Sequence, residues 1–187
     1  MGSLLVTEWM TLDGVFDAET MAEWWAPFES RERQAAIQQT VASAGGFVLG
    51  RTTYQMLAPY WSAMKNDEMG VAAKLNAAPK YVVSSTITKG DWNNSTIIKG
   101  EVGSELATLK QQTEGDLLIM GSATLVRALA TADLVDEYRF LVQPIVLGRG
   151  KRVFEEGAGP LRLKLIEARS LALGVVALRY RPAARGA

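Results

Sequence analysis

The sequence contains no cysteine and no histidine among its 187 residues. Without cysteine there is no disulfide framework, thiolate nucleophile or cysteine-ligated zinc, and without histidine the usual imidazole base and commonest metal ligand are missing. These absences exclude Ser-His-Asp triads, zinc hydrolases and zinc deaminases, and we predict no metal site. Any chemistry must use carboxylates, hydroxyls, lysine, arginine, tyrosine or backbone groups, or be supplied by a cofactor, which we favour.

The chain also lacks an excess of charge of one sign and a long apolar run. Its 20 basic residues balance 20 acidic residues, so no overall positive field is available to hold nucleic acid or an anionic membrane. Apolar windows such as residues 140–147 are interrupted by Gln143 and Pro144 and fall short of the roughly 20 residues of a membrane helix. The N-terminus shows no secretory pattern. We therefore expect a cytoplasmic protein with neither nucleic-acid nor membrane partners.

Strand and helix patterns alternate along most of the chain and then give way to paired strands. This order predicts an α/β fold, a three-layer α/β/α sandwich whose mostly parallel mixed sheet has antiparallel C-terminal strands. A single domain is expected over residues 1–180, with a flexible tail at 181–187. Strands are predicted at 3–10, 47–49, 80–84, 96–98, 116–120, 136–147, 161–168 and 173–180, and helices at 29–44, from 52 onward, 66–77, 103–114 and 122–130.

Three predicted strands end in residues suited to a phosphate or a ribose. Two of these ends lead into a helix, where free backbone N–H groups and the positive end of the helix dipole favour an anion. Each end alone has a plainer interpretation, namely a capped helix, a solvated arginine or a simple turn. Because carboxyl ends of parallel strands share one side of a sheet, the three together favour an extended dinucleotide. The predicted cofactor-binding residues are Gly50, Arg51, Thr52, Ser84, Ser85, Gly121, Ser122, Ala123 and Thr124.

A family resemblance emerges from the order of five motifs between about residues 4 and 180. The motifs TLDGVF, GRTTY, KYVVSST, LLIMGSATLVRAL and LVDEYRFLVQPIVLGRGKRVFEEG resemble the dihydrofolate-reductase-like family. Within it they are most similar to the reductase domain of the bifunctional riboflavin-biosynthesis deaminase-reductase. The resemblance implies NADPH as cofactor, with its phosphates and adenosine half at the three strand ends. True dihydrofolate reductases carry a Gly pair where this chain has Gly121 and Ser122. Their substrate-binding acid lies in the first helix, which has no unambiguous equivalent here, and these two departures argue against folate as substrate.

The resemblance also points to Asp13 as a catalytic residue. Asp13 stands in the turn at the end of the first predicted strand, where riboflavin-type reductases would place it against the nicotinamide. With histidine and cysteine absent, a carboxyl group is the natural proton donor for a reduction. An equally weighted alternative is a turn residue that bonds its own backbone. Glu29 and Glu32 are the next candidate donors.

Substrate contacts are predicted at one tryptophan and one glycine-containing loop. Trp25 is the best candidate to stack on a heterocycle, although aromatic residues are more often part of the core. The resemblance places Gly148, Arg149 and Gly150 near the substrate, where a cation would hold a sugar phosphate. A glycine turn with exposed charges is the plainer alternative.

The predicted function is NADPH-dependent reduction of a small heterocyclic substrate. The resemblance implies a pterin or a ribosylaminopyrimidine, as in 5-amino-6-(5-phosphoribosylamino)uracil reductases. The alternative is a nucleotide-binding module of the same fold that has no catalytic activity. The long apolar C-terminal strands also predict a homodimer, because exposed strand edges are normally covered.

Overall fold

The computed structural model describes residues 2–154 and 159–183, which form one eight-stranded sheet. The strands are β1 (Leu4–Thr11), β2 (Ala44–Gly50), β3 (Lys80–Val83), β4 (Ser95–Ile98), β5 (Asp116–Ile119), β6 (Glu137–Gln143), β7 (Leu163–Ser170) and β8 (Val176–Pro182). Their order across the sheet is β4-β3-β2-β5-β1-β6-β8-β7. Strands β1 to β6 pair in parallel, whereas β8 runs antiparallel to both of its neighbours. The predicted mixed sheet is confirmed.

Helices cover both faces of this sheet. They are α1 (Met21–Trp24), α2 (Arg31–Ala42), α3 (Arg51–Ser62), α4 (Ala72–Ala77), α5 (Val102–Gln112) and α6 (Ala123–Thr131). Successive strand residues alternate between two apolar cores, as the pleat requires. Leu5 packs in the core shared with α2, α3 and α4, whereas Leu4 and Val6 pack in the core shared with α5 and α6. The chain therefore has the three layers that the sequence predicts.

Some boundaries differ from the predicted ones for local backbone reasons. The helix predicted over residues 66–77 is confined to α4, because Met69 and Gly70 have positive φ angles of 57° and 64°. Helix α3 begins at Arg51 and its N-cap is Gly50 rather than Thr52. The strand predicted at 47–49 starts earlier, at Ala44, and includes Gly45, whose missing side chain leaves room for the carbonyl oxygen of Glu114.

The C-terminal strands extend further than the sequence suggests. Strand β8 includes Arg181 and Pro182, which the sequence predicts to be part of a flexible tail, and the rest of that tail from residue 184 lies outside the described residues. Strand β7 forms one edge of the sheet, where Leu165 is 51% exposed, and the homodimer that would cover it stays a prediction. No helix in the described ranges is long and apolar enough to cross a membrane.

A single lysine is fully buried where β3 begins. The Nζ atom of Lys80 donates to the carbonyl oxygens of Leu75, Asn76 and Ala78 at 2.6, 3.1 and 2.9 Å, and it lies 4.5 Å from the centroid of the Trp92 ring. Burial lowers the pKa of Lys80 to about 8. The ammonium group therefore joins the C-terminal end of α4 to β3 with all three of its donors used.

Candidate active site

The candidate site arises because β1 is longer than its neighbour β5. Strand β1 pairs with β5 only over Leu4–Val6, whereas on its other side it pairs with β6 as far as Thr11. The second half of β1 therefore borders open space beyond the carboxyl end of β5. A cleft of about 560 Å³ fills that space, at the side of the sheet where parallel α/β folds bind ligands.

The cleft is lined by an apolar set and a polar set of residues, which we call the apolar wall and the polar wall. Its lining residues come from β1, the segment after β1, α3, the β5–α6 turn, α6 and the loop after β6. The apolar members are Trp9, Phe16, Ala18, Met21, Trp24, Met56, Leu57, Met120 and Ala123. The polar members and the turn glycine are Thr7, Glu8, Asp17, Glu19, Thr52, Thr53, Gly121, Ser122, Thr124, Arg127 and Lys151.

Two helices begin at the polar wall with uncapped first turns. Neither Gly50 before α3 nor Ser122 before α6 makes a side-chain capping hydrogen bond, so the first N–H groups of both helices have no partner from their cap. The two starts are held together, since Gly50 N donates to the Gly121 carbonyl at 3.0 Å. A Cβ on Gly50 would lie 2.5 Å from Ser122 Oγ. The arrangement presents two sets of donors and two positive dipole ends to one space.

The residues predicted to bind the cofactor fall along one side of the sheet. Those that line the cleft are Thr52, Gly121, Ser122, Ala123 and Thr124. Gly50 and the exposed Arg51 come directly before Thr52. One strand further out, Ser84 follows β3, and its hydroxyl accepts hydrogen bonds from the Thr86 and Ile87 amides. Ser84 therefore forms a turn with its oxygen already in use, while Ser85 beside it is exposed.

Asp13 holds two loops together outside the cleft lining. Its carboxylate accepts hydrogen bonds from the Thr11 hydroxyl at 2.6 Å and from the Leu147 and Gly148 amides at 3.2 and 2.9 Å, and Arg152 pairs with it at 3.2 Å. The Thr11 hydroxyl, foremost, and the Gly148 and Leu147 amides lower the pKa of Asp13 to about 2. An ionised carboxylate has no proton to give at neutral pH. The structure thus favours the structural role over the predicted role as proton donor.

Replacing this carboxylate should reduce stability. We expect Asp13→Asn to lower the free energy of unfolding by about 1–2 kcal/mol at neutral pH, because two backbone amides and a guanidinium lose a charged acceptor. Urea unfolding measures the change. Since the pKa of Asp13 is lowered from 3.8 to about 2, its ionised carboxylate stabilises the fold fully above pH 3.8, and this stabilisation is lost as the pH falls towards 2. Asp91→Asn, at an exposed position, is the control, and equal stability of both variants would contradict the assignment.

Trp25 is not available for a heterocycle. The Trp9 ring stacks on it with centroids 4.2 Å apart and planes within 9°, and the Arg33 guanidinium carbon lies 3.7 Å from the same centroid. The Trp9 ring and the Arg33 guanidinium group would collide if they lay on the same face of Trp25, so they cover its two opposite faces. Contrary to the prediction, Trp25 packs within the protein. Trp9 and Trp24 are the tryptophans that line the cleft in the described residues.

The loop predicted to contact the substrate is held against other surface groups. Arg149 pairs with Glu23 at 2.7 Å on the exposed surface. The Gly148 amide donates a hydrogen bond to the Asp13 carboxylate. Gly150 lies close to Val15, since a Cβ on Gly150 would be 2.8 Å from Val15 Cγ1. Within the described part of this loop, the residue that lines the cleft is Lys151, one position beyond the predicted three.

Glu8 lines the cleft, although it belongs to none of the sequence motifs. The Glu8 residue is only 7% exposed, and its Oε1 atom has no hydrogen-bond partner in the described residues. Burial raises the pKa of Glu8 to about 8, opposed by a hydrogen bond from the Gly121 amide. The alternation of Leu4, Val6 and Glu8 along β1 was the available signal, because it places an acid on a face that is otherwise apolar.

Comparisons with known proteins agree with this geometry. A family model described as the RibD C-terminal domain matches residues 3–177. The Bacillus subtilis protein YyaP is 30% identical over 175 residues, which cover 91% of this chain and 90% of YyaP.

Two solved structures share the fold at low sequence identity. One is a diaminohydroxyphosphoribosylaminopyrimidine deaminase/5-amino-6-(5-phosphoribosylamino)uracil reductase from Thermotoga maritima, with a TM-score of 0.69 and 12% identity over 97% of this chain and 57% of that one. The other is dihydrofolate reductase from Enterococcus faecalis in complex with NADP(H) and RAB-propyl, with a TM-score of 0.64 and 15% identity over 97% and 96% of the two chains.

Proposed function

The chain belongs to the RibD C-terminal domain family, and from this membership and the cleft we propose that it is an NADPH-dependent reductase of a small heterocycle. The substrate class that we favour is a ribosylaminopyrimidine. The name of the Thermotoga maritima neighbour supports this choice, and the complex of the Enterococcus faecalis neighbour with NADP(H) supports the cofactor.

The pair of uncapped helix starts is the observation that carries the proposal. A pyrophosphate between α3 and α6 would receive hydrogen bonds from backbone N–H groups and would lie at two positive dipole ends. The adenosine half would then extend over Arg51 and Ser85, and the nicotinamide would extend towards β1. Strands β3, β2, β5 and β1 are consecutive neighbours and span about 14 Å at ~4.8 Å per strand, a distance suited to an extended dinucleotide.

The apolar wall suits the reacting rings. Phe16, Met21, Trp24 and Met56 line the cleft and would exclude water from a nicotinamide and a heterocycle placed face to face. The cofactor would supply the hydride, while the protein would orient the two rings and provide a proton. Arg127 and Lys151 are the cations that line the cleft in the described residues, and we infer that one of them would meet a phosphate group on the substrate.

The function is tested by measuring loss of NADPH absorbance with 5-amino-6-(5-phosphoribosylamino)uracil and, separately, with dihydrofolate. We expect turnover with the first compound. The alternative, a nucleotide-binding module without catalysis, would show a thermal shift with NADPH and no turnover with either compound. Absence of both NADPH binding and turnover would refute the reductase proposal.

Arg51 is expected to select NADPH over NADH. It is exposed at the first position of α3, where its guanidinium would meet the extra 2′-phosphate with a charge-assisted contact of about 1.5–3 kcal/mol. We therefore expect NADPH to bind about 10- to 150-fold more tightly than NADH, measured by fluorescence titration. Arg51→Ala should erase the preference, whereas Arg31→Ala, which changes an exposed arginine of α2, should retain it. Equal affinities in the parent protein would contradict this assignment.

A further inference from the structure

Glu8 is an acid in the cleft wall with an unsatisfied buried oxygen. The overhang of β1 beyond β5 places it beside the β5–α6 turn, where a Cβ on Gly121 would lie 3.7 Å from Glu8 Oε1. Buried polar atoms in folded proteins are almost always hydrogen-bonded, so an orphan at a ligand site indicates a group reserved for the ligand. Glu8 is both nine-tenths buried and part of the cleft lining.

Burial, and not a neighbouring charge, dominates the raised pKa of Glu8. The charged residues that line the cleft are Arg127 on α6, Asp17 and Glu19 in the segment after β1, and Lys151 in the loop after β6. Asp17 and Glu19 pair with Lys151, and the causes of the raised pKa of Glu8 are burial and, in opposition, the Gly121 amide. With a pKa of about 8, the carboxyl group carries its proton at neutral pH.

We propose that Glu8 is a catalytic residue, the acid that protonates the substrate during reduction. This inference rests on the proposed function. Bound NADPH would supply a hydride, with its electron pair, to the carbon of a C=N or C=O bond of the substrate and would leave as NADP⁺. The π electrons of that bond move to the nitrogen or oxygen, which forms a bond to the proton of Glu8 as the O–H bond of the carboxyl group breaks. The carboxylate that remains regains a proton from water before the next turnover.

Glu8 fits this role better than the acid that the sequence suggests. Asp13 gives its oxygens to a hydroxyl, two amides and a guanidinium and is ionised far below neutral pH. Glu8 has an oxygen without such partners. Its raised pKa is close to the operating pH, the condition under which general acid catalysis is most effective.

The first test requires neither cofactor nor substrate. Infrared difference spectra of the full chain should show a protonated carboxyl band at about pH 6.5, where ordinary carboxyl groups are ionised. This band should disappear with a midpoint near pH 8. It should be absent from Glu8→Gln and retained in Glu105→Gln, which changes an exposed acid of α5. A band that survives in Glu8→Gln, or no band in the parent protein, would overturn the proposal.

The second test separates binding from proton transfer. With NADPH and 5-amino-6-(5-phosphoribosylamino)uracil, Glu8→Gln should lower kcat by about 10²–10⁴-fold while KM and NADPH affinity change little. The kcat of the parent protein should fall as pH rises through about 8, and Glu8→Asp should recover part of the loss. Glu105→Gln should match the parent protein.

The outcomes distinguish the two proposals from each other. If Glu8→Gln oxidises NADPH with this substrate at the parental rate, the role of Glu8 is refuted and the reductase function stands. If the parent protein binds no NADPH, the reductase function fails and the catalytic role fails with it. In that case the infrared band still determines whether Glu8 holds a proton.

Discussion

At about pH 9, Glu8→Gln is expected to be more stable than the parent protein by up to about 5 kcal/mol. The folded-state pKa of Glu8 is raised from 4.5 to about 8, so the folded protein binds a proton that the unfolded chain releases. The contribution of the protonated carboxyl group to the free energy of unfolding is fully present below pH 4.5 and is lost as the pH rises through about 8. Glutamine has the shape of the protonated acid and does not ionise, so its stability should not fall over this range.

Guanidinium unfolding across the pH range provides the measurement. The two proteins should be equally stable near pH 4, and the difference between them should grow up to pH 8 and then level off. Glu105→Gln, at an exposed position, should follow the parent curve. A constant difference at every pH would mean that Glu8 does not titrate in the folded state as described. Such a gain in stability on removal of a polar group is typical of active sites, where function retains groups that oppose folding.

Lys80→Met is expected to reduce the free energy of unfolding by about 3–5 kcal/mol at neutral pH. Methionine fills the space of the lysine stem but leaves the carbonyl oxygens of Leu75, Asn76 and Ala78 buried without a donor. The contact with the Trp92 ring is also lost. Because the pKa of Lys80 is about 8, the ammonium form dominates at pH 7, and the variant removes a charged donor.

Lys74→Met gives the matched comparison for this loss. Lys74 is exposed on the same helix, α4, and its replacement should change stability by no more than about 0.5 kcal/mol. Urea unfolding at neutral pH compares both variants with the parent protein. If Lys80→Met lowers the free energy of unfolding by no more than Lys74→Met does, the three hydrogen bonds of Lys80 make no net contribution to stability.

Much of the fold could be predicted because local patterns and global topology agree. Alternation of strand and helix signals implied parallel pairing with helices on both faces, and the motifs identified a family that the comparisons confirm. The differences arise where one residue adopts an unusual backbone angle or meets a distant carbonyl. Met69 has a positive φ that no periodicity signals, and the room needed at Gly45 is set by Glu114, which lies far away in the sequence.

The sequence indicated where the turns of the candidate site lie, but not the surroundings of its acidic side chains. Glycine and hydroxyl residues at strand ends have a local signature, and the β5–α6 turn lines the cleft as expected. The environment of an acid depends instead on residues far away in the sequence. Asp13 is ionised because the Thr11 hydroxyl, foremost, and the Leu147 and Gly148 amides, which lie far away in the sequence, donate hydrogen bonds to it. Glu8 is buried in the cleft beside the β5–α6 turn, and a count of motif residues contains neither fact.

The overhang of β1 divides one strand into two parts that evolution can change separately. Leu4 to Val6 pair with β5 and fill the apolar cores, so substitutions there would cost stability. Thr7 to Trp9 remain anchored by β6 on one side and face the cleft on the other. Replacing Thr7 or Glu8 can alter the acid and the polarity of the site while the pairing of β1 with β6 stays intact. A single strand can thus preserve an old architecture while it acquires new substrates.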